Sequence, residues 1–260
     1  MKIALVQFDA GNVTADNARR AAARVAEAAG AGAELIVFPE ATSQGFGTGR
    51  LDTQAQGRDG EFAQTLEAAA LEHGVTVIAG MFEPADTVGT VNRVYNTALI
   101  AGRTRGAYRK IHTYDAFNFA ESDTVRPGSR QVIHQIAGVQ VGVAICFDLR
   151  FPALFQDLAR AGAQVIVVPT SWAHGPGKLR QLRTLVSARA LDTGAFVAMC
   201  DMAKPHDLDP EDSAPRGIGH SMVAAPDGEI IAEAGEDAQI LYVDVDPEDV
   251  EKQRKILPIL

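Results

Sequence analysis

In the segment VGVAICFDLRFP, residues 141–152, an apolar strand pattern breaks at Cys146 and gives way to an Asp-Leu-Arg-Phe-Pro run. A lone strand cysteine ordinarily serves as a small buried hydrophobe. At a sharp strand-to-helix turn the same thiol stands clear of the sheet, and backbone N–H groups face whatever bonds to it, as a nucleophile requires. Cys200, the other cysteine, sits within AFVAMCDM with no comparable bend and reads as core. Glu40 closes LIVFPE behind four apolar residues and a proline. A carboxylate there is costly to bury unless it is paired, hydrogen-bonded or functional. In AYRKIHTYDAF, residues 107–117, Arg109 and Lys110 end a strand pattern side by side, so one faces solvent while the other can face a pocket. Taken singly, each has a structural reading: core thiol, structural acid, solvated basic edge.

The elements that must position these groups alternate between strands and helices. The strand patterns are 2–8, 33–40, 75–83, 94–102, a hairpin of 130–136 and 139–147 through Gly138, 163–172, 195–202, a hairpin over 219–235 turning at Pro-Asp-Gly, and 238–245. Helical patterns cover 12–32, with Thr14 as N-cap and Gly30 as stop, then 60–73 stopped by Gly74, 152–162 led by Pro152, 177–192 and 247–256. The alternation predicts an α/β fold with helix-covered sheets. AQVIVVPTSW echoes AELIVFPEAT, which predicts two pseudo-twofold halves rather than one doubly wound sheet. No low-complexity linker interrupts residues 1–260, so one domain is expected. In such sheets chemistry collects at the carboxyl ends of strands, which selects Glu40, Cys146 and Thr170–Trp172.

The 24 Lys and Arg residues against 33 Asp and Glu leave a net charge of -9, which excludes a basic footprint for nucleic acid. Two cysteines make no disulfide framework, and a reducing compartment, the cytoplasm, is expected. The opening MKIALVQFDA turns polar too soon for a signal peptide, and no apolar run is long enough to span a membrane.

LIVFPEA, YRKIH and GVAICFDLRFP, in that order, resemble the Glu, Lys and Cys signatures of the nitrilase superfamily of carbon–nitrogen hydrolases, and the resemblance runs from KIALVQF to LYVDVD. YRKIHTYDAF followed by FAESDTVRPG is similar to its short amidase branch, which includes omega-amidases and deaminated-glutathione amidases. The resemblance implies a four-layer αββα sandwich, a homodimer, no cofactor, and a catalytic set of Glu40, Lys110 and Cys146 with Glu121 beside the lysine. Phe147 stands where many relatives have tyrosine, and its backbone N–H is unaffected by that difference. The implied chemistry has Glu40 as general base, Lys110 favouring the thiolate, and Lys110 with the Phe147 N–H meeting the developing oxyanion. The product of the first step is a thioester with loss of ammonia; Glu40 then activates water.

Arg150 either locks the elbow or contacts an anionic substrate. Thr170, Ser171 and Trp172 lie where the family lines its pocket, His174 with GPGK offers a pocket loop, and Tyr114, Phe117 and Phe119 could cover the substrate. The expected substrate is a small linear amide bearing a carboxylate, on branch analogy and on the cations Arg150 and Lys178. Nitrile and N-carbamoyl hydrolysis use the same three groups and stay open. Two other classes compete: a metal-dependent phosphoesterase, against which the six histidines are scattered without H-x-H or HExxH, and a binding protein that has lost catalysis, against which all three signature residues are present.

Overall fold

The computed structural model describes residues 1–116, 119–206 and 214–260. In chain order these form β1 (Lys2–Gln7), α1 (Thr14–Gly30), β2 (Leu35–Val37), α2 (Glu61–His73), β3 (Thr76–Val88), β4 (Val91–Gly102) and β5 (Gly106–Arg109). A short ribbon, β6 (Asp115–Ala116) with β7 (Phe119–Ala120), precedes β8 (Ile133–Ile136), β9 (Val139–Val143), α3 (Pro152–Arg160), β10 (Val165–Thr170), α4 (Lys178–Thr193) and β11 (Phe196–Asp201). The chain closes with β12 (Met222–Ala224), β13 (Ile230–Glu233), β14 (Gln239–Asp244) and α5 (Pro247–Ile256). No helix of the described residues is long and apolar enough to cross a membrane.

Two six-stranded sheets result, ordered β14-β1-β2-β3-β4-β5 and β13-β12-β11-β10-β9-β8. Each has three parallel strands at its centre, β1-β2-β3 and β9-β10-β11, with two antiparallel strands beyond one side and one beyond the other. The halves therefore match strand for strand, as the echoed segments predict, and β2 with Glu40 corresponds to β10 with Ser171. The last strand, β14, completes the sheet of the first half by pairing with β1.

The period-2 alternation of β1 divides its side chains between two cores. Ile3 and Leu5 pack with Val37, Ile78, Val167 and Cys200 between the sheets. Ala4 and Val6 face outward under Ala21, Val25, Phe62 and Leu66 of α1 and α2. On the opposite side, Phe155 and Leu158 of α3 and Leu182 and Val186 of α4 cover the second sheet. The order is helices, sheet, sheet, helices: the four-layer α/β sandwich.

Three differences from the expected boundaries have a visible cause. Thr14 is the first helical residue rather than the cap: Val13 takes the N-cap position, and the free Thr14 N–H donates to Gln54 Oε1 at 3.2 Å. Gly30 ends α1, but Gly32 (φ 88°) makes the left-handed turn. The hairpin of β3 and β4 extends through the polar tip 84–93, where a register shift between Pro84 and Thr87 accommodates the proline.

The loop that carries Glu40 is fastened to β3 at one glycine. Gly80 N–H donates to the Pro39 carbonyl at 3.0 Å, and its own carbonyl accepts from Ser43 N at 3.0 Å. A Cβ at Gly80 would stand 2.6 Å from Pro39 O and 2.6 Å from Ala41 N, both backbone atoms. Gly80→Ala is therefore expected to cost about 1–3 kcal/mol of stability by overpacking. It should also reduce activity disproportionately, because the displaced atoms flank Glu40. Thermal unfolding and steady-state kinetics of the same preparation test this; unchanged kinetics with lowered stability would separate the glycine from the site.

Candidate active site

Glu40, Lys110, Glu121 and Cys146 come from four separate stretches and converge in one cavity at the carboxyl ends of the strands. Unusual backbone occurs at one of them and beside another. Cys146 has φ 43° and opens a short 3₁₀ turn, Cys146–Arg150, directly after the apolar run. Ala41, next to Glu40, has φ 60°. Non-glycine residues in the left-handed region cost free energy and persist where surrounding contacts over-determine them.

At Cys146 those contacts are made by Asp148. Its fully buried carboxylate accepts from Ile145 N at 2.9 Å, Tyr108 Oη at 2.7 Å and His112 N at 3.1 Å, and lies 2.7 Å from His112 Nδ1. Asp148 thus ties the elbow to β5 and to the residues just past it. Arg150 does not lock the elbow by an ion pair: it donates to Gln181 Oε1 at 3.0 Å, and its guanidinium lies 5.1 Å from the Trp172 ring centroid.

Lys110 is 2% exposed, and its ammonium contacts Glu40 Oε1 at 2.9 Å and Glu121 at 2.8 and 3.1 Å. Its neighbour Arg109 turns the other way, pairing with Glu83 and lying over the Tyr95 ring, as strand alternation requires. Asn96 Nδ2 donates to Glu40 at 2.7 Å and to Glu121 at 3.1 Å, while Ser171 N donates to the second oxygen of Glu40 at 3.0 Å. Tyr114 N closes the set on Glu121 at 2.6 Å. The Cys146 thiol lies 3.7 Å from the Ser171 carbonyl, to which it donates.

Burial pulls the Lys110 ammonium down, but Glu121, Glu40 and Cys146 outweigh it and hold the group well above an ordinary lysine, so it stays charged. Burial raises Glu40 above the ordinary carboxylate range, with Lys110 pulling down and Glu121 pushing up. Burial, and next the negative charge of Glu40, push the Cys146 thiol well above its usual value against the pull of Lys110. The lysine favours ionisation, as expected from sequence, yet it does not produce a resting thiolate. The thiol keeps its proton beside the Glu40 carboxylate.

The cavity is narrow, about 20 Å³, room for one water. Phe46, Tyr114, Phe147, Arg150, Trp172 and Lys178 complete much of its wall. Tyr114 meets the Phe147 ring edge-on at 5.1 Å. Thr170 is a correction: it is fully buried, turns its hydroxyl to the Val168 carbonyl at 3.0 Å and does not line the cavity; Ser171, one residue on and past the strand end, does. Phe117 lies outside the described residues. Among the described residues, no group of three His, Cys, Asp or Glu side chains could hold a metal.

Three functional positions escape a reading by sequence. Asn96 is a buried amide inside β4, between Tyr95 and Thr97, and nothing local marks it as the bridge between two acids. Asp148 hides within the elbow it anchors. Asp201 accepts from Trp172 N at 2.8 Å and Ile218 N at 2.9 Å and so fixes the strand end that carries Ser171. Burial raises it to about 7 against those donors. Asp201 had the signal that revealed Glu40, a carboxylate at the end of an apolar strand.

This architecture is that of the nitrilase superfamily: the crystal structure of Saccharomyces cerevisiae Nit3, a member of branch 10 of that superfamily, superposes with a TM-score of 0.84 at 27% identity, covering 100% of this chain and 94% of that one. A hydrolase of Mycobacterium tuberculosis is 44% identical over 269 residues, covering 100% of this chain and 94% of the relative. The omega-amidase of Danio rerio is 32% identical over 268 residues, covering 99% and 92%. The carbon–nitrogen hydrolase family model matches residues 2–255, and the chain belongs to that family and is a carbon–nitrogen hydrolase.

Replacing Glu40 by Gln removes a negative charge that raises the thiol and leaves the Lys110 ammonium that lowers it. The pH at which Cys146 alkylates at half its maximal rate is therefore expected to fall in Glu40→Gln. Iodoacetamide kinetics against pH measure it; an unchanged or higher midpoint would mean that Glu40 does not act on the thiol.

Proposed function

We propose that this hydrolase is an amidase that releases ammonia from a small linear amide bearing a carboxylate, through a thioester on Cys146. The observation that carries the reading is the meeting of the Cys146 thiol, the Glu40 carboxylate and the Lys110 ammonium in one buried cavity of a carbon–nitrogen hydrolase. As the thiol attacks the amide carbon, its proton passes to Glu40. Charge develops on the carbonyl oxygen, where the Lys110 ammonium and the Phe147 N–H act; one such donor contributes roughly 3 kcal/mol to lowering the barrier. Glu40 returns the proton to the nitrogen as the C–N bond breaks, leaving ammonia and the acyl thioester. It then takes a proton from water, which attacks the thioester carbon; the carboxylic acid leaves and the thiol regains a proton. Glu121 and Asn96 position Lys110 and Glu40 for these transfers.

Arg150 and Lys178 on the cavity wall support the carboxylate assignment. Burial and then Arg150 pull Lys178 down, so the two cations lie near one another on a partly desolvated wall. Trp172 and Tyr114 supply flat walls for the chain between the carboxylate and the amide. A reducing compartment keeps a thiol nucleophile free, which supports a cytoplasmic location. Ile256, Leu257, Ile259 and Leu260 expose apolar surface that supports assembly as a homodimer, which sedimentation of the purified protein tests.

Ammonia release from omega-amides of dicarboxylic acids, deaminated glutathione, aliphatic amides, N-carbamoyl amino acids and nitriles tests the substrate class. Wild type and Cys146→Ala are compared in chelator. Release from the carboxylate-bearing amides by wild type alone is expected. Equal release by both proteins would remove Cys146 as nucleophile, and preference for nitriles or carbamoyl compounds would replace the amide assignment. With Glu40 required unprotonated and its carboxyl raised, kcat/KM should fall on acidification at a pH above the ordinary glutamate range. An acid limb at the ordinary value would remove Glu40 as the base.

A further inference from the structure

One ring borders three cavities. Phe46 lines the reacting cavity with Cys146. It also lines a cavity of about 300 Å³ with Arg20, Lys204 and Arg216. A third cavity, of about 550 Å³, has Phe46 on its wall with Leu51, Val91, Asn92 and Thr124. Pro215 is shared by the reacting cavity and the third. Beside the thiol there is about 20 Å³, so a partition of Phe46 and Pro215 divides room for one water from room for a chain.

The ring is firmly held. Phe46 is 7% exposed and meets Phe82 edge-on at 5.5 Å, within a cluster that includes Ala41, Val94, Val125 and Met202. Its loop is pinned on the preceding residue: Gly45 N donates to the Gly11 carbonyl at 3.0 Å, and Gly45 O accepts from Thr48 Oγ1 at 2.7 Å. A Cβ on Gly45 would lie 2.6 Å from the Ala10 carbonyl, so the backbone there is already in close contact. Among the described residues, the third cavity's one cation, Arg50, is engaged by Asp52 at 3.0 and 2.7 Å, and the other residues that line it are neutral. The second cavity instead carries several charges of both signs.

We propose that Phe46 is a specificity-determining wall: it limits the length of the acyl chain beside Cys146, and the third cavity is the space a longer, uncharged chain enters once the ring is cut back. The substrate part of this inference rests on the amide reading; the wall itself does not.

The test uses two reagents that report space at the thiol without turnover, iodoacetamide and a maleimide carrying a straight uncharged alkyl chain. Their Cys146 alkylation rates are compared in wild type, Phe46→Ala, Phe46→Leu and Phe82→Leu. Phe46→Ala should raise the long-to-short rate ratio by about tenfold or more, in line with what a few methylenes decide in a fitted pocket. Phe46→Leu should lie between it and wild type and keeps the test intact if the alanine variant folds poorly. Phe82→Leu, which loosens the same packing without opening the wall, should leave the ratio at the wild-type value. A ratio unchanged in both Phe46 variants, or raised equally in Phe82→Leu, overturns the proposal. Ammonia release from a short and an alkyl-extended omega-amide is measured alongside. A raised alkylation ratio with no release from either amide would sink the amide reading and leave the wall standing.

Discussion

Everything in the site hangs on burying a lysine between two glutamates. Lys110 and Glu40 are separated by 70 residues and Lys110 and Glu121 by 11, yet each pair meets at 2.9 Å or less. Three charges removed from water are costly, and breaking such a set strands the remainder uncompensated. The surroundings answer that cost group by group: Asn96 and Ser171 N on Glu40, Asn96 and Tyr114 N on Glu121. The two sheets, the glycine contact at β3 and the elbow on Asp148 are what bring those donors within reach. Burial and then the negative charge of Glu40 outweigh the pull of Lys110, so the thiol rests protonated.

Pseudo-twofold repetition provides the frame but not the site. Matching strands β2 and β10 end in different chemistry, a carboxylate on one and the Ser171 backbone on the other, joined by a 3.0 Å hydrogen bond. The two halves share a backbone plan and divide the labour. Glu40, Asn96, Lys110 and Glu121 come from the first half and the loops after it; the thiol, its elbow and the Arg150–Lys178 wall come from the second.

Legibility followed the range of the interaction. Strands, helices and the layered class could be read because alternation and helix spacing are local, and Gly74, Pro152 and Gly138 mark their boundaries within a few residues. Glu40 and Cys146 interrupt apolar strand patterns and Lys110 sits in a basic pair at a strand end; the three came together through the ordered signatures LIVFPEA, YRKIH and GVAICFDLRFP. Asn96 could not, since its role exists only once two distant acids flank it. Thr170 was assigned to the pocket and Ser171 serves there, because a one-residue shift at a strand end exchanges faces and sequence does not set strand ends that finely. The elbow's anchor was not singled out for a similar reason. Arg150 is the conspicuous charge in the segment, while Asp148 does the anchoring through partners 36 and 40 residues away.

The pairing of β1 with β14 gives the chain a particular order of assembly. Lys2 stands opposite Asp244, so the first strand made is the last to gain its outer neighbour. Until β14 emerges, the nascent first sheet presents β1 as an open edge while β2, β3 and both covering helices are already available to it. Such an edge can pair with a stranger, and closing it requires a contact across nearly the whole chain, which is slow. Cys146 leaves the ribosome well before that edge closes, so a chain stalled late in synthesis would carry the thiol of the second half beside a first sheet whose edge is still open.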